Sequence, residues 1–401
     1  MNKLRHFILL LAAPLFAVAL LSSCDDNESG TMKIYNKADL IYFQERVNDN
    51  YEGDLNAVLM GNINLEGEEW IPIGDDYYSP FYATFNGNGF TISNLTISTS
   101  LSHQGLFGYV YEGTITNVIL ENPQIEGDRN VGALCGRVFE DSSISSCKVV
   151  GGSIKGSENV GGLIGNIYYA DIKDCYSTAS VEGSSKCVGG LIGLASMCEI
   201  ENCYNTGSVT SEGGYSGGVV GYPADSQLAG CYNTGDVTST GDFVGGVGGY
   251  SSGYISASYN TGRVKGVNFV GGVAGSSFSS YTTYIPSSYI TSCFNTGVVS
   301  GVECVAGVAG RTYSSTVIDG CYYLNNSNLE GVILDDGEGV YTSNSDGAES
   351  LNSYSELNAN VDTMNEAIED FIRSDDDGVD IAYRFKEGSP ADSTIPEIYK
   401  Y

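Results

Sequence analysis

Apolar and polar residues alternate along this chain in short runs, and the runs recur. In Cys203-Tyr204-Asn205-Thr206-Gly207-Ser208-Val209, a period of two puts Cys203, Asn205, Gly207 and Val209 on one face and Tyr204, Thr206 and Ser208 on the other. The phrase returns at Cys231 to Val237 and at Ser258 to Val264. Cys147, Cys175, Cys203 and Cys231 are 28 residues apart, Ser258 follows after 27, and Cys293 and Cys321 are again 28 apart. Three residues before each stands an aliphatic side chain: Ile144, Ile172, Ile200, Leu228, Ile255, Ile290 and Ile318. A second phrase, Val-Gly-Gly-Leu-Ile-Gly at 160–165 and 188–193, continues in variant form through Val305 to Gly310. Counting back, the steps Ile115 to Val118 and Ile92 to Leu95 complete about nine repeats.

A fixed period of this size marks a solenoid or a propeller. The segments are rich in Val, Ile, Thr and Tyr and are separated by Gly, Ser, Asn and Asp, which are strand and turn compositions. A propeller blade takes about 40 residues, and helical repeats need longer stretches of 3.6-residue periodicity than these repeats contain. The expected fold is all-β: a parallel β-helix of about nine rungs of roughly 28 residues, stacked at about 4.8 Å. Its interior holds the file Cys147, Cys175, Cys203, Cys231, Ser258, Cys293 and Cys321. The inward Asn residues are expected to bond rung to rung as an amide ladder.

The ends of a solenoid have to be covered. A short helix from Lys37 to Val47 suits the N-terminal cap. Leu357, Val361, Met364, Ala367, Ile368 and Phe371 define an amphipathic helix over 355–373, followed by closing strands at Tyr383–Phe385 and Ile395–Ile398. The domain plan is a signal peptide at 1–23, an acidic linker at 24–33, an N-terminal cap at 34–75, repeats at 76–328 and an α+β C-terminal cap at 329–401.

Trp70-Ile71-Pro72-Ile73-Gly74, the run Phe81 to Leu95 and Gly105-Leu106-Phe107-Gly108 together resemble the GLUG-motif proteins, over roughly residues 35 to 330. Later rungs carry Val219, Val247, Val273 and Val308 where the motif has leucine. The resemblance implies a β-helical bacterial surface protein, adhesin-like and often lipid-anchored. The motif also occurs beside the catalytic part of immunoglobulin A peptidases. The zinc-peptidase signature His-Glu-x-x-His is absent, the only histidines being His6 and His103, so no enzymatic role is expected.

Lys3 and Arg5 precede an apolar stretch from Phe7 to Leu21 and then Leu21-Ser22-Ser23-Cys24. This reads as a secretory signal. It resembles a lipobox, which implies acylation of Cys24, export and attachment to the cell envelope. Asp25-Asp26-Asn27-Glu28 then resembles lipoproteins displayed at the outer membrane surface. An aspartate directly after the Cys also occurs in lipoproteins kept at the inner membrane, so the membrane face stays open. The net charge of −31 argues against nucleic acid as a partner. The acidic runs Asp335-Asp336-Glu338 and Asp375-Asp376-Asp377 lack EF-hand spacing and read as solvated loops, so no metal or cofactor is expected. Cysteines in one parallel file point alike and lack disulfide geometry, so they read as buried free thiols. Cys135, Cys187, Cys198 and Cys304 lie off the file, and their state is left open.

Three functions fit such a chain. The first is adhesion, or binding of a glycan or a host matrix protein. Its candidate site joins the outward file Tyr176, Tyr204, Tyr232, Tyr259, Phe294 and Tyr322 to an insertion, Ser276 to Ser288. Ligand contact is expected to centre on Tyr232, Tyr259 and Phe294 with Phe278, Tyr281 and Tyr284 of the insertion. The second is a passive stalk or scaffold. The third is polysaccharide cleavage, which needs paired carboxylates, yet Asp236 aligns with Ser208 and Arg263.

Overall fold

The computed structural model describes residues 30–278, 288–313, 316–324, 329–335, 341–343, 348–351, 354–374, 383–386 and 396–400. Residues 1–23, Cys24, Tyr281, Tyr284, Asp336, Glu338 and Asp375 to Asp377 lie outside the described residues. The alternating runs form short parallel strands that wind into a β-helix. They collect into three stacks of 23, 11 and 8 strands, here called the broad, ladder and narrow walls. The ladder wall runs from Ile63–Asn64 to Ala348–Leu351, so stacking starts before and ends after the nine recognisable phrases.

The chain turns the corners of the coil through residues in the left-handed region. One corner column is Ser146, Asp174, Asn202, Gly230, Ala257, Ser292 and Gly320, each one position before the cysteine file. Another is His103, Asn130, Asn159, Cys187, Tyr215, Phe243, Phe269 and Cys304. Cys147, Cys175, Cys203, Cys231, Ser258, Cys293 and Cys321 are all buried and point inward in consecutive turns, as the spacing predicts. Val118 continues the file, but Leu95 does not. Phe85 pairs with Ile115, and Thr91 pairs with Ile119, which puts Phe90 opposite Val118. The extra residues Gly87 to Gly89 shift the phrase, and Leu95 falls ahead of the narrow-wall strand Thr96–Ser98.

The described cysteines are free thiols, and each cysteine of the file donates to a backbone carbonyl. The Cys147 N–H donates to Cys175 Sγ at 3.3 Å, and the Cys231 N–H donates to Ser258 Oγ at 3.1 Å. The thiol of Cys175 donates in turn to the Lys173 carbonyl at 3.2 Å. The left-handed corner takes the backbone N–H out of the strand ladder, so a small side chain with an acceptor atom completes it. Cys198 does the same at another corner: its N–H donates to Ser226 Oγ and its thiol to the Ser196 carbonyl. Cys135 is an interior residue between Phe107 and Ile164, and Cys187 and Cys304 are left-handed corner residues.

The inward asparagines form the expected ladder. Asn205 donates to Asn233 at 2.9 Å, Asn233 to Asn260 at 2.8 Å and Asn260 to Asn295 at 2.8 Å. Each also bonds the glycine two residues on, as Asn233 does with both the carbonyl and the N–H of Gly235. The opposite wall must come close to seat these amides, and a Cβ on Gly218 would collide with the Asn233 amide.

At the N-terminal end, helix α1 (Lys37–Asn50) is capped by Asn36, whose side chain accepts from the N–H groups of Ala38 and Asp39. It buries Leu40, Phe43 and Val47, with Phe43 against Phe81 and Phe85. The C-terminal helix is two: α2 (Tyr354–Ala359) and α3 (Val361–Ser374), separated at Asn360. The strands Tyr383–Lys386 and Glu397–Lys400 pair antiparallel. This segment does not sit only across the end of the coil. Leu357, Val361, Met364 and Phe385 pack on the outside of the ladder wall, over Ala257, Tyr259, Phe294 and Tyr322. Small residues make room for it. Ser292 Oγ donates to the Met364 carbonyl at 2.5 Å, and Gly320 lies against Ala367.

Candidate functional site: an aromatic strip on the broad wall

Two aromatic surfaces lie on the outside of the coil. The first is the expected file on the ladder wall. Tyr176, Tyr204, Tyr232, Tyr259 and Phe294 stack face to face with centroids 4.5 to 4.9 Å apart. Its C-terminal half is covered: Phe294 is fully buried against Phe385, and Tyr259 and Tyr322 are buried with it. The expectation that Tyr259 and Phe294 meet a ligand is therefore corrected, because the C-terminal segment occupies that face. Tyr176, Tyr204 and Tyr232 are half-buried.

Phe278, the other described residue of the expected site, is not on this face. It stacks on Tyr250 with centroids 4.4 Å apart, on the broad wall. Tyr250 stacks on Tyr215 at 4.7 Å and meets Phe243 at 4.8 Å, Phe243 stacks on Phe269 at 4.8 Å, and Tyr222 leans on both Tyr215 and Tyr250. Arg311 lies over Phe269 and Tyr313, 4.9 and 4.7 Å from their centroids. These seven rings are half-buried, with faces or edges toward solvent.

The backbone beneath them is strained. Tyr215, Phe243 and Phe269 sit at φ 62°, 62° and 56°, in the corner column where earlier turns place Asn130 and Asn159. Asparagine tolerates this conformation, whereas bulky side chains lose about 1–2 kcal/mol there. Ring stacking returns a comparable amount, about 0.5–1.5 kcal/mol per pair. Burial among neighbouring rings pushes the Tyr250 hydroxyl up to about 12. Tyr222 is raised by burial and then by Asp225. These hydroxyls stay protonated, so they present hydrogen-bond donors and ring faces without negative charge.

The strip continues toward the N-terminus along one outward column. Strand register places Tyr109, Arg137, Asn166, Leu194 and Tyr222 in successive turns. At this end Tyr77 stacks on Phe139 with an interplanar angle of 7°, His103 stacks on Tyr109 at 4.4 Å, and Arg137 lies 5.4 Å from the Phe139 centroid. Tyr77 and Tyr78 come from the loop 75–80; Tyr78 is 87% exposed. The sequence carried a signal for this surface. Aromatics recur before the Gly-Gly phrase at Tyr215, Phe243 and Phe269 and after it at Tyr222 and Tyr250. Those aromatics are divided between two positions of the repeat, so they form a weaker sequence signal than the single file beside the cysteines. Among the described residues no cluster of His, Cys, Asp or Glu could hold a metal ion.

The fold and surface define a parallel β-helical repeat protein with an aromatic outer strip. The GLUG motif model matches residues 156–182 and 184–210, so the chain carries GLUG repeats within the coil. Halomucin of Haloquadratum walsbyi is 34% identical over 80 residues, which is 18% of this chain and 1% of halomucin. A Bacteroides ovatus protein provisionally assigned as an immunoglobulin A1 protease superposes with TM-score 0.48 at 17% identity, over 92% of this chain and 93% of that one. A structure named IgA1 protease superposes with TM-score 0.51 at 15% identity, over 82% of this chain but 24% of its own. Likeness at this level is one of fold. It nevertheless overturns the expectation of no enzymatic role, since a coil of this kind occurs in a protein named as a protease. The missing His-Glu-x-x-His pair therefore does not place the chain outside catalysis.

Proposed function

We propose that the protein binds a linear glycan along the aromatic strip of the broad wall. In this reading it is an exported lipoprotein, held to the cell envelope through acylated Cys24 and displayed at the outer membrane surface. The observation that carries the proposal is the run of half-buried rings from Tyr215 to Tyr313, three of them held in a backbone conformation that bulky residues avoid. Flat ring faces with protonated hydroxyls suit pyranose rings, which present apolar faces and polar edges.

The test compares two surfaces on one rod. A glycan and matrix-protein array would be probed with the wild type, with Tyr215→Ala/Tyr250→Ala and with Tyr176→Ala/Tyr204→Ala. The strip variant is expected to lose about tenfold in affinity or more, from two stacking contacts of about 1 kcal/mol each. The ladder-wall variant should bind like the wild type. The opposite ranking would move the site to the ladder wall, and an array without any ligand would favour a structural stalk. Shortened products would make the strip a substrate groove.

A further inference from the structure

The chain has 18 Lys and Arg against 49 Asp and Glu, and among the unpaired cations of the described residues, which include Lys33, Arg263 and Lys265, Arg137 is the one set within the aromatic strip. Lys37, Arg46, Arg129, Lys155, Lys173 and Lys186 are all ion-paired. Arg137 has no ion pair among the described residues, and its buried Nε has no hydrogen-bond partner. Its guanidinium lies over Phe139, with Tyr109 and Asn166 in the adjacent turns and Tyr77 stacked on the far part of the same platform. The enclosed Nε lacks a partner, but Arg137 as a whole is half-buried, so part of its side chain stays open to a ligand while no carboxylate among the described residues neutralises it.

We propose that Arg137 takes the carboxylate of an acidic sugar unit in the bound glycan. This rests on the reading of the broad-wall strip as a glycan-binding face, of which Arg137 occupies the N-terminal end. The planar fork of a guanidinium matches a carboxylate with two parallel N–H···O bonds, and the flanking rings of Tyr77 and Tyr109 present faces for the sugar that carries it. Charge sets how many such units the ligand bears. With a net charge of −31 and the exposed Asp75 and Asp76 beside Tyr77, the surface repels a dense polyanion. A chain with isolated carboxylates fits; a heavily sulfated one does not.

The experiment is titration calorimetry on the full chain. Its probes are galacturonate, glucuronate-containing and sialic-acid-containing oligosaccharides, each beside its carboxyl-reduced form. The wild type should favour at least one acidic sugar over its reduced form by about tenfold, the worth of one charge-assisted contact. Arg137→Gln should erase that preference, lowering affinity for the acidic sugar about tenfold more than affinity for its reduced form. Arg137→Lys keeps the charge without the fork and should lose most of it, which serves should the glutamine variant fail to fold. Equal wild-type affinity for acidic and reduced sugars would overturn the subsite while leaving the strip intact. Equal loss of both sugars in Arg137→Lys would also overturn it. Binding of none of the sugars would remove the strip as well, and preferential binding of a glutamate-rich peptide would overturn the sugar assignment.

Discussion

His103 shows how tightly a single corner residue can be specified. It occupies the left-handed corner at φ 64°, stacks on Tyr109, and meets the Tyr109 hydroxyl through Nδ1 at 3.0 Å and Asn130 Nδ2 through Nε2 at 2.9 Å. Asn130 cannot turn over, because its Oδ1 already accepts from Asn159 and Asn166. Nε2 is therefore the acceptor, Nδ1–H donates to the Tyr109 hydroxyl, and the ring is neutral. Burial, and then the Arg137 charge, hold the imidazole below its ordinary 6.5. The folded state thus resists a proton that the unfolded chain accepts. The stability this group contributes is complete above pH 6.5 and is lost as pH falls below it. Urea midpoints of the wild type and His103→Gln at pH 7.5 and pH 5 should show the wild type losing more on acidification. Parallel losses would mean that the ring titrates normally.

Within a turn, the asparagine ladder is the element that the alternation of the sequence makes most legible. A residue of period two between Cys and Gly has to face inward, and only an amide can satisfy both its own turn and the next. Asn233→Ala would take the partner from one Asn205 amide N–H, from Asn260 Oδ1 and from both backbone groups of Gly235, so a loss of about 3 kcal/mol is expected. Because each turn contacts only its neighbours, hydrogen exchange should show lost protection around Asn205 and Asn260 first, with distant turns spared. Uniform loss along the coil would contradict this. The cysteine file was equally legible, since Cys and Ser share the one property the corner needs, a small acceptor. Other elements were not. Phe85 stands where later turns place the repeated Ile, Phe90 falls opposite the file only half-buried and without an acceptor, and Gly87 to Gly89 hide the register. The break at Asn360 lies inside an unbroken helical period. The docking place of α3 is written only as a drift to small residues at Ala257, Ser292 and Gly320, which gains meaning once the partner is known.

Taken whole, the rod has one outer face closed by its own C-terminal segment and another left open. Met364→Asp in the full chain should test this division, since a carboxylate cannot enter the contact with Leu357, Tyr322 and Phe294. The expected result is loss of exchange protection in α3, a rise in hydrophobic dye binding as Phe294 and Tyr259 are exposed, and an unchanged β-sheet spectrum. Dye binding at the wild-type level would show that the face is covered by other means. The insertion Ser276 to Ser288 has a different consequence. Ser251 pairs with Ser277 and Tyr254 with Tyr289, so the wall keeps its register on both sides of the insertion, and the buried hydroxyls of Ser277 and Ser288 meet at 2.6 Å across its base. Chain length between those two serines is thereby uncoupled from the winding of the coil. A passenger sequence spliced there would enter and leave through one latched doorway, and each doubling of its length would add only about 0.6 kcal/mol of closure entropy. The rod is in this sense a carrier with a built-in port, able to acquire new cargo at one point without rewriting the turns above or below.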